Sequence, residues 1–110
     1  MIGGNTEALI QVRTTTTNSI GEQVPAWTDV QSVKGWLDYQ SGDSKYNVYS
    51  AKIRESTHLF LCDYVPLDAS ISDENSRLIV NGERYDVLLI DDPMGLHKQL
   101  EIYLKFTGGQ

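Results

Sequence analysis

Two histidines, His58 and His97, the cysteine Cys62 and the adjacent carboxylates Asp91 and Asp92 are the side chains of this sequence best suited to hold a metal or move a proton. His58 and Cys62 stand four residues apart, a spacing that brings two side chains together on a helix. Their surroundings read as a strand, however, and along a strand four residues span roughly 13 Å. They cannot share a metal without a bend, and His58 reads as a partly buried strand histidine. Asp91, Asp92 and His97 form the best metal cluster on spacing, yet Pro93 and Gly95 lie among them and mark a turn between two strands. The cluster therefore reads as a solvated acidic turn. Adjacency alone does not turn Asp91 and Asp92 into the opposed carboxylates of glycosidic acid–base chemistry.

The remaining chemistry is sparse. No serine sits in a nucleophile elbow and no glycine-rich loop has the pattern of a phosphate cradle. Cys62 lies between Leu61 and Asp63, an apolar and acidic setting that raises a thiol pKa and argues against a reactive thiolate. Trp27, Trp36 and six tyrosines offer stacking surfaces, but basic residues are not interleaved with them, so a single-strand-binding groove is not supported. Fifteen acidic residues against nine basic ones leave a formal charge of −6. That balance argues against a protein whose main task is gripping nucleic-acid phosphates or docking to an anionic membrane. It remains compatible with DNA sliding past. The expectation is no catalytic residue, no metal and no cofactor. A lone cysteine forms no intramolecular disulfide and fits a reducing compartment. No signal-peptide pattern and no run near the ~18 apolar residues of a membrane helix is present, so a soluble protein made in a cytoplasm is expected.

The elements around these residues follow from periodicity. With 110 residues and 40% hydrophobic content, the chain is one domain with a thin core. Residues 6–17 alternate, with Ala8, Ile10, Val12 and Thr14 on one side. Residues 18–22 break the chain, and Pro25 argues against a central strand just after it. Alternation returns over 30–40, with Val33, Gly35, Leu37 and Tyr39 on one side, and Gly35 suggests a bend or bulge. Residues 57–65 are apolar on both faces and should be covered, and 67–75 form an acidic link. Asn81-Gly82 between 77–80 and 83–90 is the signature of a two-residue hairpin turn, and Tyr85, Val87 and Leu89 share a face after it. The last strand, 99–106, points Leu100, Ile102, Leu104 and Phe106 inward. Six strands with one apolar face must close or be covered. A small antiparallel six-stranded barrel, SH3-like or similar, is the simplest solution.

Residues 41–55 do not fit the strands. The segment is polar, and Asp43 or Ser44 could cap a short helix carrying Tyr46, Tyr49 and Ile53 on one face. Helix and loop both remain open here. A loop of ~15 residues is uncommon in a small domain and tends to be functional or disordered.

The order of these features resembles the bacteriophage head–tail joining family, also called head–tail adaptor, head-closure or stopper proteins. The likeness rests on 21–27 (Gly-Glu-Gln-Val-Pro-Ala-Trp), 33–37 (Val-Lys-Gly-Trp-Leu), Tyr46, 56–64, the hairpin 77–87 around Asn81 and Gly82, and the alternation of 100–104. It spans 6–106, and the acidic link 67–75 looks longer than the family's usual turn. The resemblance implies a structural, non-enzymatic virion protein. It would form a ring of twelve or six copies at the head–tail connector, assembled in the bacterial cytoplasm. Its partners would be copies of itself, the portal or adaptor protein, a tail-completion protein, and packaged DNA passing through without sequence-specific contact. The resemblance also implies that the excursion between strands two and three lines or plugs the channel. That role falls on Asp43, Ser44, Lys45, Tyr46, Asn47, Tyr49, Lys52 and Arg54. A tail-completion or terminator subunit, or a non-phage β-barrel binding module, stands as the alternative.

Overall fold

Alternation of apolar and polar residues is expressed as strand in six places. The computed structural model describes residues 4–39 and 56–109. Its strands are β1 (Thr6–Thr17), β2 (Gln23–Tyr39), β3 (His58–Asp63), β4 (Ser76–Val80), β5 (Glu83–Asp91) and β6 (Gln99–Gly109). All neighbours are antiparallel, and the order β1-β2-β3-β6-β5-β4 returns to β1 to close a barrel. Closure removes the free edges that a flat sheet would expose. A short 3-10 turn, Pro93–Gly95, is the only helical element among the described residues.

The inward faces interlock into one core. Ala8, Ile10, Val33, Phe60, Cys62, Leu78, Val80, Tyr85, Val87, Leu100, Ile102 and Leu104 are all buried in it. Removing a side chain such as Ile10, Phe60 or Ile102 from water stabilises the fold by roughly 1.5–3 kcal/mol each. The hairpin between β4 and β5 is built as its dipeptide requires: Asn81 and Gly82 both have positive φ, 53° and 79°. Two successive left-handed residues make a type I′ turn, whose twist matches that of the strands.

Three local expectations are revised, and one, that Pro25 does not sit in a central strand, holds. Pro25 lies within β2, opposite Thr15. It is tolerated because β3 does not reach that part of β2: the β2–β3 pairing begins at Gly35. Gly35 makes no bulge. It is a close-approach site, where an added Cβ would lie 2.2 Å from the Leu61 carbonyl oxygen. Leu89 faces away from the core because the β5–β6 register shifts between Val87 and Leu89. After that bulge Leu89 pairs with Tyr103 and Ile90 with the buried Ile102. Phe106 is 42% exposed, since it lies past the end of the core on the inward face of β6.

The polar outer face of β1 and β4 ties the hairpin to the barrel. Arg77 Nε donates to Gln11 Oε1 at 2.7 Å, and Gln11 Nε2 donates to Asp29 Oδ1 at 2.8 Å. The Arg77 guanidinium also lies 4.1 Å from the centre of the Trp27 ring, a cation–π contact. The acidic link 67–75 is organised by its own side chains. Asp68 accepts from the Ser70 N–H and hydroxyl, and those bonds hold its carboxyl below the usual range. Gln31 clasps the start of the link by donating to the Pro66 carbonyl and accepting from the Asp68 N–H.

Candidate functional site

Alternating strand direction sorts the connections between two ends of the barrel. The β1–β2 turn, the link 64–75 and the β5–β6 connection share one end. Tyr39, Ser56 and the Asn81-Gly82 turn share the other, with residues 4 and 109. Residues 40–55, which span the gap between Tyr39 and Ser56, lie outside the described residues. The expected gating residues Asp43, Ser44, Lys45, Tyr46, Asn47, Tyr49, Lys52 and Arg54 all fall there.

His58, the first residue of β3, sits where that segment re-enters the barrel. Its ring meets Tyr85 edge-on at 5.0 Å and Tyr39 edge-on at 5.4 Å, with Phe106 at 6.3 Å. Thr57 Oγ1 accepts from the Phe106 N–H at 2.8 Å and lies 2.9 Å from His58 Nδ1. A hydroxyl carries one proton and can donate it to Nδ1. That assignment makes Nδ1 an acceptor and places the ring proton on Nε2. Burial lowers the His58 pKa, and the Glu83 carboxylate opposes the shift. The histidine thus caps the core as a neutral aromatic, and its environment disfavours the charged form.

The other candidate groups are also held in structural roles. Cys62 faces the core, 1% exposed, four residues along β3 from His58. Burial, with Asp63 beside it, pushes the thiol pKa up to about 11, opposite to the shift that would make a nucleophile. Asp91 ends β5 opposite Glu101. Asp92 holds the β5–β6 turn by accepting from the His97 N–H at 2.9 Å and pairing with His97 Nδ1. Left-handed φ at His97, 57°, brings both groups onto one carboxylate, and its ring stacks on Tyr64 at 4.6 Å. Among the described residues, no three His, Cys, Asp or Glu side chains converge as a metal site. Asp91, Asp92 and His97 were recognisable by spacing, but Asp92 and His97 are used on each other and on the backbone.

The sequence did not reveal the aromatic mouth. Tyr39, His58, Tyr85 and Phe106 come from four strands, and only the barrel's register brings them together. Positive φ in the β5–β6 turn at Met94 was likewise unsignalled, and it leaves Met94 90% exposed.

The fold has a counterpart. A solution structure of protein SF1141 from Shigella flexneri 2a is similar to this chain with a TM-score of 0.70, at 18% identity. The match covers 96% of this chain and 95% of that one. At that identity the likeness speaks for the fold alone. Curated protein sequences contain no match. The profile of phage head completion proteins matches residues 4–105, from before β1 into β6 and across all six strands. The chain belongs to the phage head completion protein family, and its role is a structural one in building the phage head.

Proposed function

We propose that this protein forms a ring at the head–tail interface, closes the capsid after DNA packaging and offers the tail a docking surface. The observation that carries this reading is the family match over 4–105. The match embraces a barrel in which His58, His97, Cys62 and Asp92 are engaged in holding the fold. Within the ring, residues 41–55 take the channel role on their composition: Lys45, Lys52 and Arg54 concentrate positive charge in a chain of net −6. Such cations meet DNA phosphates while the acidic body lets DNA slide. Portal or adaptor and tail-completion proteins are the expected neighbours of the ring.

Electron microscopy of particles assembled with and without the protein tests the reading. A ring of density beneath the portal, present only with the protein, together with DNA loss without it, is the expected result. Unchanged density and retained DNA would sink the proposal. Deleting 43–52 tests the channel role separately: a folded chain that joins particles leaking DNA is expected, and normal retention would remove the role from that segment.

A further inference from the structure

β3 is apolar on its outer face as well as its inner one. Phe60 and Cys62 point into the core, 0% and 1% exposed, so Leu59 and Leu61 point away from it. The ladders surround these two leucines with large neighbours. Trp36 of β2 stands opposite Leu61, Tyr103 of β6 stands opposite Leu59, and Leu89 of β5 stands opposite Tyr103. Trp36 is 42% exposed, and the other four are half-buried. The outer face on the far side of the barrel is different: at Gln11, Asp29 and Arg77 it is a polar, hydrogen-bonded network. An antiparallel sheet ordinarily turns a polar face to water. Contiguous apolar surface on the outside of a small domain marks an interaction site.

The chain's own connectivity points to the occupant. β2 ends at Tyr39 and β3 begins at His58, and these two residues are paired across the ladder. Residues 40–55 therefore leave and return on neighbouring strands, at the rim of the apolar face. Ile53 precedes Ser56 by three residues, a tether of at most about 10 Å. Leu59 follows Ser56 by the same number, so a chain that folds back at Ser56 brings Ile53 over Leu59. Tyr46, Tyr49 and Ile53 have the i, i+3, i+7 spacing of one helix face. As a helix, that stripe is about 10 Å long, and three neighbouring strands span about 10 Å. A tethered segment also meets the face at an effective concentration of about millimolar, which favours it over a second copy or a separate polypeptide.

We propose that the outer face of β3, flanked by Trp36 and Tyr103, seats Tyr46, Tyr49 and Ile53 of this chain's own residues 40–55. Seating fixes which side of the segment stays in water. Lys45 and Lys52, seven residues apart, then share one flank beside the apolar stripe. The seat depends on the barrel and the tether and not on ring formation, so its loss would leave the head-closure reading in place.

Nuclear Overhauser contacts in the isotope-labelled full chain test the seat. Contacts from the Tyr46 and Tyr49 rings and the Ile53 methyls to the Leu59 and Leu61 methyls and the Trp36 indole are expected, with intensities independent of protein concentration. Tyr46→Ser combined with Tyr49→Ser should shift the Leu59, Leu61 and Trp36 signals and leave those of Leu78 and Val80, across the core in β4, in place. The contacts in the unaltered chain are read whether or not the double variant folds. Absence of those contacts, contacts from the segment to Tyr85 and Phe106 instead, or unmoved Leu59 and Leu61 signals in the folded double variant overturns the proposal. In a mixture of differently labelled chains, contacts found only between chains would put a second copy on the face and overturn the choice of occupant.

Discussion

The two halves of β1 share one alternation and have opposite fates. Ala8, Ile10 and Val12 are 0%, 1% and 5% exposed, while Thr14 and Thr16, next along the same face, are exposed. The first half has β2 on one side and β4 on the other, over a core filled from every strand. The second half, from Arg13 to Thr17, runs about 14 Å with β2 as its only strand partner among the described residues. A two-stranded ribbon is only marginally stable by itself. This one is anchored at its root by the Arg77–Gln11–Asp29 bonds and the Arg77–Trp27 stack. Alternation thus marks a strand, but burial depends on what the rest of the barrel places against it. In the ribbon half, β2 is the only strand beside β1 among the described residues.

The largest expected effect breaks the comparison at its buried side. Ile10→Ala should cost about 2–5 kcal/mol, because the barrel cannot collapse around the lost atoms. Thr16→Ala, six residues on and on the same face, should stay within about 0.5 kcal/mol. Denaturant unfolding of the two variants checks both, and a similar cost for each would mean that the ribbon is as well packed as the barrel. Next in size is the β4–β5 turn, a connection that needs no ribbon. Gly82→Ala should cost about 1–2 kcal/mol through its left-handed backbone alone, since an added Cβ there meets nothing within 4 Å. Gly21→Ala, at φ 89° in the ribbon's own turn, has equally open space. Equilibrium unfolding should show the smaller loss at Gly21, where the ribbon frays without opening the core.

The smallest effect is a pH dependence confined to the barrel half. His58 has its pKa lowered from 6.5 by burial, so the unfolded chain binds its proton more tightly than the folded one. Its contribution is therefore complete above about 6.5 and is lost as the pH falls below that value. Melting curves between neutral and mildly acid pH should show this loss. His58→Phe should flatten it while the ribbon's amide spectrum stays unchanged. A loss that persists in His58→Phe would assign the titration elsewhere.

Much of this architecture was legible in the residues. β1 and the hairpin around Asn81 and Gly82 follow from period-two alternation and from a dipeptide that accepts left-handed backbone. Both are local properties. The engagement of His97 was not legible. Its spacing to Asp92 was visible, but the positive φ that turns ring and backbone onto one carboxylate belongs to the folded turn. Leu89 was misplaced for a related reason: a bulge arises from how β5 and β6 must coil together, and one inserted residue reverses every side chain beyond it.

The sequence alone determined that this is a six-stranded antiparallel β protein without a legible catalytic motif, because strand period, turn chemistry and motif spacing are written in consecutive residues. Only the tertiary structure decided that the strands close in the order β1-β2-β3-β6-β5-β4 and that four of them gather an aromatic mouth around His58. It alone decided too that the threonines of β1 extend past their last neighbour. Each of these depends on which distant strands become partners and where their pairing stops. Burial and register settle that between segments far apart in the chain, and no local pattern encodes it.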